Sequence, residues 1–293
     1  MEIKLILSPI DFSEFSIRAY RYALSLAEHY RAKLVAQHVV ELSRHPSLGF
    51  VASGGLYDEF RKALHESAEQ ELRNFVKQHT HGQIHPELVV QQGAVADDIL
   101  SFAQAQKADV IVMGTHGRRG FDRLVLGSVT DRVMRRAPCP VLAISKPSHE
   151  SLAAEKQGHH RLSRILFCTD FSENSERALN YAISATAEYD AELTLLHVLE
   201  DIPTPGTTQE AMATADEQLD RLITPDKRKT IKIKTEVRIG KAYEQIIQFA
   251  AEQQVDMVTM GVRGRGALDA AVFGSTTCRA IQLGPCPALA VRV

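Results

Sequence analysis

Two segments of the sequence repeat one spacing of glycines that could hold an anion. In each, two glycines three residues apart are followed, after nine further residues, by a Gly-Ser pair. The residues are Gly114, Gly117, Gly127 and Ser128 in the first segment, and Gly261, Gly264, Gly274 and Ser275 in the second. Each segment follows a short apolar run, and the Gly-Ser pair stands where a helix should begin. Helix starts offer unpaired N–H groups and a partial positive charge, and glycines let the backbone approach phosphate oxygens. The spacing therefore predicts two phosphate-binding loops, with glycines that only make turns as the alternative.

Side chains near these loops could add to such a site. Hydroxyl donors and flexible cations lie in or beside both segments, within reach of a polyphosphate. They are Ser128, Thr130, Ser275 and Thr276 for the hydroxyls, and Arg118, Arg119, Arg263 and Arg265 for the cations. Known loop signatures are missing from the sequence: G-x-x-x-x-G-K-[ST], G-x-G-x-x-G and the G-x-S-x-G nucleophile elbow do not occur.

Two acidic residues and two valines complete the candidate set. Asp11 and Asp170 follow the first apolar run of their segments, where a carboxylate could accept hydrogen bonds from an adenine amino group or a ribose hydroxyl. A turn or helix-cap role is the alternative. The backbones of Val39 and Val198, near the end of the second run, could contact an adenine edge, while their side chains serve the strand core.

These features belong to an internal duplication. Residues 6–13 match residues 165–172 at an offset of 159, whereas the Pro-Cys-Pro sequence around Cys139 recurs around Cys286 at an offset of 147. The second copy is therefore 12 residues shorter between these matches, and we expect the difference in a surface loop. We predict domains at residues 1–146 and 163–293, joined by a polar linker at residues 147–162.

Composition sets the class of protein. With 44% hydrophobic and 24% charged residues, the 293-residue chain can bury two cores. A net charge of −2 argues against a general nucleic-acid binder. No apolar run is long enough to span a membrane, so we expect no membrane association. The four cysteines form no CxxC pair, and we interpret them as reduced thiols of a cytoplasmic protein.

Short apolar runs alternate with helical periodicity in both copies. The runs cover residues 4–8, 33–40, 84–91, 109–113 and 141–144, and then 164–168, 192–199, 230–238, 256–260 and 288–291. Strand–helix alternation of this kind predicts an α/β fold with a doubly wound parallel sheet. Ligands of such sheets bind outside the carboxyl ends of the strands, at the point where the strand order reverses.

The strand-one aspartate and the Gly-x2-Gly-x9-Gly-[Ser/Thr] spacing after strand four resemble the universal stress protein family. The resemblance covers nearly the whole chain, twice, as in tandem members. It implies two tandem open five-stranded parallel sheets in the order 3-2-1-4-5, with helices on both faces. It implies ATP in the crevice, often with a divalent ion such as Mg²⁺, and a regulatory or sensor role in the stress response.

The resemblance also assigns contacts. The aspartate and the end of strand two contact adenine, and the loop glycines, hydroxyls and following amides hold ribose and phosphates. Carried over, these residues are Asp11, Val39, Gly114, Gly117, Gly127, Ser128, Val129 and Thr130, and Asp170, Val198, Gly261, Gly264, Gly274, Ser275 and Thr276. The family further implies pairing of domains through their last strands, within one chain or in a homodimer.

Several alternatives stay open. Slow ATP hydrolysis is one, although no positioned general base or other catalytic residue is evident, so enzyme status is left undecided. An adenylating enzyme would need more Ser or Gly after strand one than residues 8–13 offer. A metabolite or lipid-like ligand could occupy one copy, because Cys168 and Thr169 replace Pro9 and Ile10. We expect His79 and His81 on a loop beyond a helix end, and no metal site.

Overall fold

A computed structural model of the chain describes residues 2–42, 55–80, 82–117, 126–145, 162–200, 207–262 and 274–292. Two compact units form, one mainly from residues up to 144 and the other mainly from residue 145 onward. The predicted linker at residues 147–162 lies outside the described residues except for Leu162. Among the described residues, no helix is both long and apolar enough to cross a membrane.

In the first half, apolar runs rich in β-branched residues form parallel strands, and amphipathic segments form the helices between them. The strands are β1 (Leu5–Pro9), β2 (Lys33–Val40), β3 (Glu87–Gln92), β4 (Val110–Gly114) and β5 (Val141–Ile144). The helices are α1 (Glu14–Tyr30), α2 (Gly55–His79), α3 (Val95–Gln106) and α4 (Ser128–Arg136). All strand pairs are parallel and run in the order β3-β2-β1-β4-β5.

The second half repeats this arrangement. Its strands are β6 (Arg164–Thr169), β7 (Glu192–Leu199), β8 (Lys232–Ile239), β9 (Met257–Gly261) and β10 (Ala288–Val291). Its helices are α5 (Glu173–Tyr189), α6 (Thr208–Arg221), α7 (Pro225–Thr230), α8 (Ala242–Glu252) and α9 (Ser275–Leu283). The strands pair in parallel in the order β8-β7-β6-β9-β10. The α/β class predicted from the sequence is confirmed.

The crossovers determine which face each helix covers. The connections through α1 and α2 step outward from β1 to β3, whereas those through α3 and α4 run the opposite way. Right-handed crossovers therefore place α1 and α2 on one face of the strands and α3 and α4 on the other. The buried ring of Tyr20 on α1 packs against Phe75 on α2 at 5.3 Å, and α3 packs against α4.

The length difference between the two copies reaches into helical structure. The first half has one helix of 25 residues, α2, where the second has α6 with 14 residues and α7 with 6. The expectation of a shortened surface loop was therefore incomplete, because α2 packs along β2 and β3 and its length follows from a buried face. Residues 43–54 and 201–206 lie outside the described part of the chain.

Candidate functional site

The carboxyl ends of β1 and β4 form the centre of the candidate site. The two strands are neighbours, with Ile6 opposite Val110 and Leu7 opposite Ile111. After β1 the chain leads toward β2, and after β4 it leads the other way toward β5. This is the switch point at which doubly wound sheets open a crevice for ligands. Strands β6 and β9 form the corresponding point in the second half.

Asp11 serves the turn into α1 with one of its two oxygens. Its Oδ1 accepts hydrogen bonds from the Ser13 N–H at 3.0 Å and from the Ser13 hydroxyl at 2.6 Å. Ser13 is the N-cap of α1 and accepts from the N–H of Ser16. Asp170 repeats the turn, since its Oδ1 accepts from the N–H of Ser172 at 3.1 Å. The turn-and-cap role considered from the sequence is therefore real in both halves, and in each it uses Oδ1.

The other oxygen of Asp11 faces the glycine loop. A Cβ at position 117 would lie 2.7 Å from Oδ2 of Asp11, so any larger residue there would force the carboxylate to shift. Glycine therefore lets the loop after β4 come this close to the carboxylate after β1 without displacing it. Gly117 and Asp11 are 106 positions apart in the sequence, and the fold brings these two predicted site residues together.

Gly114 has a packing role of its own. A Cβ there would lie 2.6 Å from Cβ and 2.9 Å from the carbonyl carbon of Phe15, in the first turn of α1. The end of β4 thus presses directly against the backbone of α1. The ring of Phe15 also lies 5.0 Å from that of His116, in the same loop. For Gly114, close helix–strand packing is therefore established independently of any ligand.

The helices after the glycine loops begin without a side-chain cap. Gly127 and Gly274 are the N-caps of α4 and α9, and neither helix has a side-chain hydrogen bond at that cap. The first i to i−4 bonds are donated by Asp131 to Gly127 and by Cys278 to Gly274, at 2.9 Å each. The backbone N–H groups at positions 128–130 and 275–277 precede those bonds, so they have no acceptor within their own helix. The side chains of the two serines that open these helices are exposed.

Two threonines in these first turns are engaged with the ends of the strands. The hydroxyl of Thr130 donates to the carbonyl of Gly114 at 2.8 Å, and that of Thr277 donates to the carbonyl of Gly261 at 2.9 Å. The structural counterpart of Thr130 is therefore Thr277, which the sequence-based assignment did not include. Thr276, which it did include, occupies the position of Val129 and is half-buried.

The two valines lie where β2 and β7 run past their neighbours. Pro9, the last residue of β1, pairs with Gln37, so Val39 lies beyond the end of β1 at the edge of the crevice. Its side chain is buried, as expected of strand core. Val198 likewise lies beyond the end of β6, one position past its last pair with β7, whereas Val39 lies two positions past the last pair of β1 with β2.

Strained backbone marks the residue after each aspartate. Phe12 and Phe171 have φ angles of 64° and 59°, in the left-handed region that bulky residues rarely adopt. Their rings pack on His38 at 4.6 Å and on His197 at 4.4 Å. Strain of this kind clusters at ligand-binding sites, where the surrounding structure enforces it.

The same histidines fix the residue before each aspartate. Nδ1 of His38 lies 2.7 Å from the carbonyl oxygen of Ile10, and Nδ1 of His197 lies 2.8 Å from that of Thr169. The sequence-based assignment missed this pair of contacts. The signal was available, because a His-Val dipeptide occurs at the same place in both copies.

The two crevices differ in polarity. Cys168 and Thr169 stand where the first half has Pro9 and Ile10, and the Thr169 hydroxyl accepts from the N–H of Phe171 at 2.9 Å. A polar hydroxyl thus supports the turn in the second half, where the first half has an apolar side chain. Cys168 is buried, and burial raises the pKa of its thiol.

Some predicted residues lie outside the described part of the chain. They are Gly264 and the four loop arginines, Arg118, Arg119, Arg263 and Arg265. His81 is also outside it. His79 is described, and the expectation that it lies on a loop was wrong: it is the last residue of α2, only 9% exposed, with its ring 4.7 Å from Phe75. Apolar packing on α2 extends the helix to this residue. Within the described residues, no group of three or more His, Cys, Asp or Glu side chains could hold a metal ion.

Comparison with known proteins agrees with this architecture. A universal stress protein of Methanocaldococcus jannaschii is 37% identical over 149 residues, which cover 50% of this chain and 85% of the relative. One of Synechocystis is 23% identical over 307 residues, covering 99% of this chain and all (100%) of the relative. The crystal structure of a universal stress protein from Archaeoglobus fulgidus has the same fold, with a TM-score of 0.69 at 22% identity, covering 98% of this chain and 96% of that one.

A sequence model of the family assigns both halves. The model for the universal stress protein family matches residues 2–145 and matches again at residues 162–292. The two matches together span most of the chain. The chain therefore belongs to the universal stress protein family, as a tandem member.

Proposed function

We propose that this protein binds adenine nucleotide, as ATP with Mg²⁺, at the switch-point crevice of each half, and acts as a cytoplasmic regulator or sensor in the stress response. The observation that carries the proposal is the contact between Gly117 and Asp11. It joins a candidate phosphate loop to a carboxylate that can accept hydrogen bonds from a base or a ribose. Membership of the universal stress protein family supports the role in stress.

In the first half, the proposed contacts are of two kinds, those to the phosphates and those to the nucleoside. The backbone amides of Ser128, Val129 and Thr130, at the uncapped start of α4, would donate to phosphate oxygens, and the exposed Ser128 hydroxyl would add a further donor. Oδ2 of Asp11 and the backbone of Val39 would hold the nucleoside. The Thr130 hydroxyl donates its proton to Gly114, so we assign it to holding the loop.

In the second half, the proposed contacts are Asp170, Val198 and the start of α9 at Gly274, Ser275 and Thr276, together with Gly261 and Gly264 of the loop. This first turn contains no acidic residue, whereas α4 has Asp131 there. A negative charge near a helix start competes with a bound anion.

The polarity change at Thr169 favours a second candidate for this half alone, a ligand other than a nucleotide.

The proposal is tested with the purified full-length chain. The protein is heated, the supernatant is separated by anion exchange, and ATP binding to the nucleotide-free protein is measured by calorimetry. We expect ATP or ADP in the supernatant and saturable binding. Neither should occur in the Gly127→Val/Gly274→Val double variant, because added side chains would block both helix starts; at position 127 a Cβ already lies 3.1 Å from the Thr115 carbonyl oxygen.

A gentler variant has a matched control. Gly117→Ala would place a methyl group against the Asp11 carboxylate and should weaken ATP binding. Gly93→Ala would also press a methyl group against a carboxylate, that of Asp98 in the first turn of α3, which is not among the proposed ligand contacts. It should bind ATP as the unmodified chain does. Absence of nucleotide and of ATP binding in the unmodified chain would overturn the proposal.

Pairing of the halves through their last strands, Val141–Ile144 and Ala288–Val291, and pairing of whole chains as a homodimer, remain proposals drawn from the family. Light scattering of the purified protein gives the number of chains per particle. Cross-linking of cysteines introduced into the two strands tests the pairing within one chain.

A further inference from the structure

Two glutamines of the first half, one buried and one partly exposed, form an amide pair in which one oxygen has no donor among the described residues. Nε2 of Gln37 on β2 donates to Oε1 of Gln91 on β3 at 2.5 Å. Gln37 is only 1% exposed, and within the described part of the chain no donor reaches its Oε1. A buried acceptor without a donor costs free energy, and folded proteins rarely keep one without a reason.

The register of the strands places this pair beside the candidate site. Val39, whose backbone lies at the crevice, is directly opposite Gln91. Neighbouring Gln92 binds Arg61 of α2 through both ends of its amide, so it faces the α1 and α2 layer. Because side chains alternate along a strand, Gln91 faces the other layer, that of α3 and α4. This is the layer whose helix α4 opens at the glycine loop.

The corresponding positions of the second half carry a different chemistry. Leu196 precedes His197 as Gln37 precedes His38, and it is fully buried and apolar. Arg238 lies opposite Val198 as Gln91 lies opposite Val39. Its guanidinium is taken up by Glu252 at 2.6 Å and Glu236 at 3.3 Å, and it lies 4.7 Å from the centre of the Phe249 ring. The second half therefore has no amide pair at this place.

We propose that the Gln37–Gln91 pair selects adenine over guanine in the first half, whereas the second half does not discriminate by this means. The inference rests on the proposed nucleotide binding. The carbonyl oxygen of Gln37 is an acceptor awaiting a donor, and the exocyclic amine of adenine is such a donor. Guanine has a carbonyl oxygen at that position, so two acceptors would face each other. Gln91 is partly exposed, and its Oε1 holds Nε2 of Gln37, which keeps the Gln37 oxygen as the group that meets the base.

The test measures ATP and GTP affinities of the full-length chain by calorimetry, with Gly274→Val present throughout to silence the second site. We expect this background to prefer ATP, and Gln37→Leu, which introduces the residue of the second half, to reduce that preference by about tenfold, the effect of one hydrogen bond to the base. Gln91→Leu should reduce it as well. Gln92→Leu, a change of the same kind on the opposite face, is the control and should keep the preference.

A stability measurement separates base selection from a purely structural role. Removing an unsatisfied buried acceptor should leave Gln37→Leu as resistant to denaturant as the background, or more so. A variant that loses stability and keeps the ATP preference would assign the pair to packing and overturn the inference. If the background binds ATP and both leucine variants retain its ratio of ATP to GTP affinity, the inference fails alone. If the unmodified chain binds no nucleotide, the proposed function fails with it.

Discussion

The hydroxyl of Thr130 donates a hydrogen bond to the carbonyl oxygen of Gly114, 2.8 Å away, and so ties the start of α4 to the end of β4. Thr130 is buried, so Thr130→Val would leave that carbonyl without this donor. We expect a loss of about 1–3 kcal/mol in the free energy of unfolding, the usual penalty for an unpaired buried group. Denaturant titration measures it. Thr130→Ser, which keeps the hydroxyl, is the control, and equal stability of the valine and serine variants would show that the bond contributes nothing.

Asp109 joins the start of β4 to the start of β1, and the contribution of this link to the free energy of unfolding should be measurable. Its Oδ2 accepts from the N–H groups of Lys4 and Leu5, at 2.7 and 2.8 Å. Bonds to a charged acceptor contribute about 1.5–3 kcal/mol each when buried, and these are partly exposed, so we expect Asp109→Ala to cost about 2 kcal/mol. Asp256 makes the same two bonds at the start of β6.

Asp97→Ala is the control for this comparison. Asp97 forms exposed ion pairs with Arg132 and Arg136, which are expected to contribute less than about 1 kcal/mol. Denaturant midpoints of the two variants should therefore differ clearly. A cost at Asp97 as large as that at Asp109 would contradict the assigned role of the strand-joining bonds.

The left-handed backbone at Phe12 predicts an unusual order of stabilities. Both Phe12→Ala and Phe12→Gly remove the ring that packs on His38 and Phe75. Glycine, however, accepts a φ of 64° without the cost of about 1–2 kcal/mol that a Cβ incurs there. Phe12→Gly should therefore unfold at higher denaturant than Phe12→Ala, the reverse of their order in a helix. If alanine is the more stable, the backbone at this position is unstrained.

Desolvation should keep three cysteines unreactive in the native protein: Cys168 is buried, and Cys139 and Cys286 are half-buried. Burial, with a smaller contribution from Asp109 or Asp256, raises the pKa of Cys139 and of Cys286 to about 12, and burial also raises the pKa of Cys168. At pH 8 these thiols carry almost no thiolate, the reactive form. We expect peptide mass spectrometry to find them unlabelled after brief iodoacetamide treatment of native protein and labelled after treatment in guanidinium. Rapid native labelling of Cys139 would contradict the raised pKa of its thiol.

The raised pKa values of these thiols also affect stability at high pH. The ordinary thiol pKa is 9.0, so in the unfolded chain Cys139 and Cys286 lose their protons before they do in the folded protein. The unfolded state is then favoured as pH rises from about 9 to about 12, and the free energy of unfolding should fall across that window. Cys139→Ala/Cys286→Ala should show a shallower fall. Parallel curves for the two proteins would refute the contribution of these thiols.

The periodicity and the duplication predicted the strands and central helices well. Observed β2, β5, β7 and β10 have the bounds expected from the sequence, because a run of buried apolar residues between helices has few other places to lie. Helix α2 was less predictable, since its length and the position of His79 depend on packing against Phe75 and the strands beneath.

For the candidate site, the sequence indicated which residues, but not what each contacts. The loop glycines and the aspartates were found because they recur at matching places in two copies. That one oxygen of Asp11 serves a turn and the other faces Gly117 depends on atoms brought together from distant parts of the chain. The assignment of Thr276 instead of Thr277 shows the same limit, because one step along a helix changes which hydroxyl meets the strand.

The sequence by itself determined a duplicated α/β chain with a candidate anion-binding helix start in each copy, because periodicity and glycine spacing act over a few neighbouring residues. Only the tertiary structure decided that Gly117 lies against Asp11, that Phe12 is held in a left-handed conformation, and that no donor among the described residues reaches Oε1 of Gln37. Those relationships arise from the register of parallel strands, which joins residues far apart in the chain and is set by the packing of the whole core.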